Sequence, residues 1–278
     1  HNIVSYLDDN YPDSLKQIVD PPILLYCVGD TNLLTSNQLA VVGSRNYSTY
    51  GRNVTDKIIT ELANSSLTIT SGLAFGIDTL AHEFSLKNNL KTIAVIGTGI
   101  NIVYPSNNRA LHDKIAKYGL IISEFQLGTK PLRHNFPLRN RLISGLSKGV
   151  LVIEAASKSG SLITAKLALD HNKEVFAIPG SIFNTTSQGC NDLISQGAKL
   201  VRSADDILEE LLIDSISKPT ITTPVATKDL NLEPEQLIAY ESISDSFTTI
   251  DKIMNTTALD YSKITEILFE LEMQNLVQ

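Results

Sequence analysis

The chain has 278 residues, 42% of them hydrophobic and 19% charged, and carries a net charge of −7. That length suits one large domain or a main domain with a small satellite, and the apolar fraction excludes wholesale disorder. No apolar run approaches the ~20 residues of a membrane-spanning helix, so neither an integral membrane protein nor a membrane partner is expected. Cys27 and Cys190 lie far apart without a CxxC pair, which excludes a disulfide scaffold and a thiolate zinc site. They fit the reducing cytoplasm, and the absence of a basic, apolar leader agrees with that location.

Residues 1–39 contain Tyr11-Pro12, Pro21-Pro22 and the run Ile23-Leu24-Leu25-Tyr26. They predict an extended lead-in packed on the domain that follows. Over residues 40–213, β-branched runs predict strands at Ala40–Val42, Leu67–Thr70, Thr92–Ile96, Leu120–Ser123, Val150–Ile153, Glu174–Ile178 and Lys199–Val201. Helical periodicity falls between them near Gly51–Asn64, Ile77–Lys87, Asn107–Lys117, Leu138–Leu146, Ser161–His171 and Asp192–Ser195, with a further helix at Ala204–Leu212. Strands apolar throughout and alternating with helices indicate a mostly parallel sheet covered on both faces. This predicts an α/β, doubly wound, Rossmann-like domain.

Residues 214–230 are rich in Thr, Ser and Pro and read as a linker. Residues 231–278 carry helical patterns at Pro234–Ser242, Thr248–Asn255 and Tyr261–Asn275, which suggests a small winged-helix-like domain. From Asp229 onward, however, two Lys face ten acids. A recognition helix must approach phosphates, so this module is expected to be a poor DNA reader and better suited to protein partners.

Charge is strongly partitioned. Ala40 to Arg202 holds 18 Lys and Arg against 10 Asp and Glu, whereas residues 203–278 hold four against fifteen. Phe125 to Ile153 has no acid but contains Lys130, Arg133, Arg139, Arg141 and Lys148. A basic stripe inside an acidic protein marks a candidate anion-binding surface; its plainer alternative is a set of solvated helix faces.

Ligands of an open parallel sheet sit beyond the carboxyl ends of its strands. There this sequence places Gly43-Ser44-Arg45, Ser71-Gly72 with Gly76, and Ser159-Gly160-Ser161. Glycine lets backbone amides approach an anion, and arginine can clamp phosphate oxygens. Each loop alone reads equally well as a helix cap with a turn glycine.

Gly97-Thr98-Gly99 begins like a dinucleotide fingerprint, but Ile102 stands where its third glycine belongs. No GxxxxGK[ST] occurs, so a P-loop ATPase is not expected, and no cofactor is predicted. Asp78, His82 and Glu83 share a helix but lack the HExxH spacing, and no G-x-S-x-G elbow supports a hydrolase triad, so neither a metal site nor a catalytic residue is predicted. His82 reads better as a helix anchor.

The segment from Arg133 to Arg141 interleaves three arginines with Phe136 at a helix entrance. Phe136 could stack on a base or staple the helix that follows.

At these residues the sequence resembles the DNA processing protein A family (DprA, also called Smf). The matching blocks are GSR at 43–45, SGLAFGID with AH at 71–82, YP at 104–105, SE at 123–124, FPLRNR with GLS at 136–147, EA with SGSLITA at 154–165, PG at 179–180 and GCNDLISQGA at 189–198. The resemblance implies a non-enzymatic, single-stranded DNA-binding protein that dimerises and helps load the RecA recombinase during natural transformation. Full-length relatives often carry an N-terminal helical domain that this sequence does not show.

Carried over residue by residue, the resemblance makes Arg45 a phosphate ligand in a loop with Gly43 and Ser44, Arg133 a cation beside the strand, and Phe136 the base-contacting aromatic. Ser71, Gly72, Ser159, Gly160, Ser161 and Lys166 would line the same groove. Arg139 and Arg141 would either join it or hold Glu124 or Glu154. The rival expectations are an enzyme processing a nucleotide or ribosyl phosphate in a closed pocket, and a scaffold whose cations meet an acidic protein.

Overall fold

Alternation along the buried strands decides the architecture. In β3 (Gln38–Val42), Leu39 and Val41 pack with one hydrophobic cluster, while Ala40 and Val42 pack with another on the opposite face. β7 (Gly149–Val152) repeats this, with Val150 and Val152 on the second face and Leu151 on the first. A strand apolar on both sides needs helices on both sides.

The computed structural model describes residues 2–213, 235–236, 238–239, 250–257 and 259–273. The remaining strands are β1 (Asn2–Ser5), β2 (Leu24–Gly29), β4 (Thr68–Ser71), β5 (Thr92–Val95), β6 (Leu120–Ser123), β8 (Glu174–Ala177) and β9 (Lys199–Leu200). They form one sheet in the order β1-β2-β6-β5-β4-β3-β7-β8-β9. All pairings from β6 to β9 are parallel, while β1–β2 and β2–β6 are antiparallel.

The helices are α1 (Asp13–Lys16), α2 (Thr49–Leu62), α3 (Ile77–Lys87), α4 (Arg109–Tyr118), α5 (Asn135–Leu146), α6 (Ser161–Asp170), α7 (Gln188–Ser195) and α8 (Ala204–Glu210). Leu15, Leu142, Ala165 and Cys190 place α1, α5, α6 and α7 over one face of the sheet. Ile58, Leu80 and Ile207 place α2, α3 and α8 over the other. The α/β unit is therefore a doubly wound, Rossmann-like domain. Burial pushes the thiols of Cys27 and Cys190 up to about 12, so both are packing groups rather than nucleophiles.

The lead-in does more than pack on this domain. β2 pairs with β6 and β1 pairs with β2, so the first strands extend the sheet itself. The sequence did not reveal this because β2 follows a pair of prolines and its end positions are exposed.

The chain divides into two compact units, His1–Pro219 and Thr220–Gln278. In the second, helices Ile250–Thr257 and Tyr261–Met273 are described, with Ala239, Ile267 and Leu271 forming a small core. The expected linker lies outside the described residues, as does most of the expected Pro234–Ser242 helix. No helix among the described residues is long and apolar enough to cross a membrane.

Candidate nucleic-acid interface

Sheet order reverses between β3 and β7: β4, β5 and β6 are added on one side of β3, and β7, β8 and β9 on the other, all parallel. Ligand crevices of such sheets open at this switch, beyond the carboxyl ends of the strands. Two loops flank it, residues 43–48 after β3 and 154–160 after β7. The chain fills the crevice itself. Glu154 is buried, and its carboxylate accepts hydrogen bonds from the Ser48 amide at 2.9 Å and the Ser48 hydroxyl at 2.6 Å. Ser48 caps α2 through Gly51 N. An internal carboxylate thus occupies the helix start where a nucleotide phosphate would otherwise sit.

The open surface lies one strand further along the rim. Arg45 (after β3), Gly72 and Phe75 (after β4), Gly97 and Tyr104 (after β5) and Phe136 (α5) line one cleft there. Its enclosed volume is only about 30 Å³, against roughly 300–1,000 Å³ for a small-molecule pocket. The Phe136 ring lies against Gly97 and tilts toward Tyr104, with ring centroids 5.6 Å apart. The ring is half-buried and lines the same cleft as the exposed Arg45. Arg133, in the turn before α5, is also exposed. Neither Arg45 nor Arg133 forms an ion pair among the described residues.

A polar strut supports this cleft from below. Arg139, expected among the strand ligands, is buried at 4% exposure and donates to Val95 O. It lies under Gly72 beside Asp78, and Asp78 accepts from the Gly72 amide at 3.1 Å. A Cβ at Gly72 would strike both side chains, which explains the glycine. Burial lowers the Arg139 guanidinium to about 10, opposed by Asp78, and pushes the Asp78 carboxyl up, opposed by Arg139. Arg139 still carries its charge at neutral pH. Gly76, at φ 88°, lets the loop pass close over Ser44 O before α3 begins.

Other predicted residues separate into surface and support. Arg141 forms a fork with Glu124 at 2.7 and 2.6 Å and also reaches Asp20 at 3.3 Å, so it holds the chain's own carboxylates. Ser71 is fully buried and donates to Val41 O, tying β4 to β3. The Gly72 amide is engaged by Asp78, and Ser44 donates within its own turn to Asn46 O. These positions do not offer free donors to a strand. Gly43 is half-buried against Ile77. Ser159 and Ser161 share a hydroxyl contact of 2.7 Å at the start of α6, where Gly160 is exposed; Lys166 is exposed further along the same helix.

His82 is an anchor, as its sequence context suggested. Thr92 Oγ1 donates to Ile69 O and lies 2.7 Å from His82 Nδ1, so Nδ1 must carry the proton. Among the described residues, no group of three or more metal-ligating side chains comes together. A larger hollow of about 840 Å³ lies between α3 and α4 at the opposite edge of the sheet, bordered by none of the predicted site residues. The residues missed from sequence are Tyr104 and Glu154 in its capping role. The Tyr-Pro pair in the loop between β5 and α4 was the available signal for the first, and an acid at a strand end for the second.

Comparison with known proteins places this arrangement. The model of the DNA recombination-mediator protein A family matches residues 2–212. The chain belongs to that family. It is 50% identical to a solved structure of DNA processing protein A from Streptococcus pneumoniae, with a TM-score of 0.73 over 75% of this chain and 74% of that one. A second structure, of DNA processing protein A from Helicobacter pylori, is 33% identical, with a TM-score of 0.68 over 76% of this chain and 96% of the other. That structure is described as giving insight into the protein's single-stranded DNA binding mode. Protein Smf of Escherichia coli is 40% identical over 98% of this chain and 74% of its own length. As a member of this DprA/Smf family, the chain is identified with DNA recombination mediators.

Proposed function

We propose that this family member binds single-stranded DNA along the carboxyl rim of its sheet and helps load the RecA recombinase on it during natural transformation. It protects the bound strand, acts as a homodimer in the cytoplasm, and performs no catalysis. The observation that carries this reading is the shared cleft of Arg45 and Phe136. A guanidinium without an ion-pair partner among the described residues shares a cleft with a half-buried aromatic ring, the combination that can engage a phosphate and its base together. Arg133 continues the cationic line outside the cleft, and Lys166 with Gly160 continues it beyond β7. The H. pylori relative described as a single-stranded DNA binder supports the same reading.

A nucleotide-processing enzyme is the weaker alternative. Glu154 fills the switch-point crevice, and the remaining cleft is too small to enclose a nucleotide. Fluorescence anisotropy with single- and double-stranded oligonucleotides over a salt series tests the proposal. With about five phosphates neutralised, the log–log slope for a single strand should be near −3.5. Equal affinity for the two forms, or a slope near zero, refutes it. Faster RecA filament growth on strands carrying the protein tests the loading step.

A further inference from the structure

Beyond the cleft, the rim carries a row of exposed aromatic rings. Seven Phe or Tyr side chains of the α/β unit are prominently exposed among the described residues, and six of them (Tyr6, Tyr104, Phe75, Tyr47, Tyr50 and Phe183) follow the carboxyl ends of strands. Taken in sheet order they follow β1, β5, β4, β3 and β8. Random surface placement would not concentrate rings on one edge, and the same edge bears Arg45 and Arg133.

The last member is the most exposed. Phe183 is 89% exposed and Ile182 77%. They occupy the two corners of a turn closed by Asn184 N donating to Ser181 O, with Phe183 N also reaching Ser181 Oγ. The turn stands on a held base. Tyr50 donates to Pro179 O at 2.7 Å, Asn191 bonds both the amide and the carbonyl of Gly180, and Ala155 N donates to Thr186 O. An apolar ring projected from a fixed base loses little conformational freedom on meeting a partner.

We propose that Phe183 is a second base-stacking platform, so that the bound strand crosses the rim from Phe136 to the 181–184 turn. This rests on the strand-binding reading above and adds the course of the strand and its far end. From β5 to β8 there are four strand spacings, or about 19 Å, which at the roughly 3.4 Å rise of a stacked strand accommodates about six nucleotides. Arg45 and the start of α6 lie between the two rings, where intervening phosphates would pass.

The chain contains no tryptophan, so Phe183→Trp introduces a single indole at an exposed position. A labelled oligothymidylate longer than the rim is added to this variant, and its anisotropy and the indole emission are read in one sample. Rising anisotropy with quenched indole emission is expected. Phe183→Ala should weaken binding about tenfold without altering the salt slope, and Phe183→Tyr should restore it. Rising anisotropy with unchanged indole emission overturns the platform but leaves strand binding intact. No anisotropy change with either the wild-type protein or the variant removes strand binding and the platform together. An indole emission that shifts on dilution without DNA would place Phe183 against a second copy of the chain and also overturn the proposal.

Discussion

Glu154 and Ser48 are locked together across the switch between β3 and β7, the carboxylate accepting from both the amide and the hydroxyl. This pair fills the crevice at the sheet's switch point, the place where open α/β sheets commonly hold a ligand. Glu154→Gln retains one acceptor and should cost about 1 kcal/mol, whereas Glu154→Ala leaves the Ser48 amide without its partner and should cost about 1–3 kcal/mol. Urea denaturation measures both. Because the carboxylate faces inward, the salt slope of DNA binding should stay unchanged in Glu154→Gln.

The arginines should divide by surface and support. Arg45→Ala and Arg133→Ala should each weaken binding to all sequences alike and flatten the salt slope by about 0.7. Arg141→Ala removes the fork on half-buried Glu124, so it should lower stability by about 1–3 kcal/mol with the slope preserved. A flattened slope in Arg141→Ala would place that residue on the strand instead.

Periodicity made most of this fold legible. α3 and β6 have the bounds their patterns predicted, because each is apolar in the period of its own element. β1 and β2 escaped notice because short strands with partly exposed positions, the second preceded by prolines, lack a run of buried residues. At the candidate site, sequence picked out loops that the fold gathers on one rim but could not rank the cations within them. Arg139 and Arg141 lie two apart on one helix, and only the neighbours brought by the fold distinguish a buried strut under Gly72 from a fork on Glu124. Arg45 and Phe136, 91 positions apart in the sequence, share a cleft only because β3, β4 and β5 lie side by side.

Gly160 separates folding from binding. It has right-handed helical geometry at the start of α6, and a Cβ there would meet nothing within 4 Å. Gly160→Ala should therefore leave stability unchanged or raise it by about 0.4–1 kcal/mol. If the strand backbone approaches this helix start, the methyl group should nevertheless weaken DNA affinity several-fold. Unchanged affinity in a normally folded variant would remove residues 159–161 from the path.

His82 sets an acid limit on stability. Burial lowers its ring to about 3, while an unfolded histidine titrates near 6.5. Between those values the unfolded chain takes up a proton that the folded chain refuses. The stabilisation is thus complete above about pH 6.5 and falls as pH drops toward 3, at up to about 1.4 kcal/mol per unit. Asp78 acts in the opposite sense, because its raised carboxyl binds a proton more readily when folded. Comparison with His82→Gln isolates the ring. Between pH 6.5 and 4.5, wild-type stability should fall more than that of the variant, by on the order of 2 kcal/mol. Parallel stability curves over that interval would mean that the ring can accept a proton in place, and that its enclosure between α3 and β5 is looser than Thr92 and the surrounding core imply.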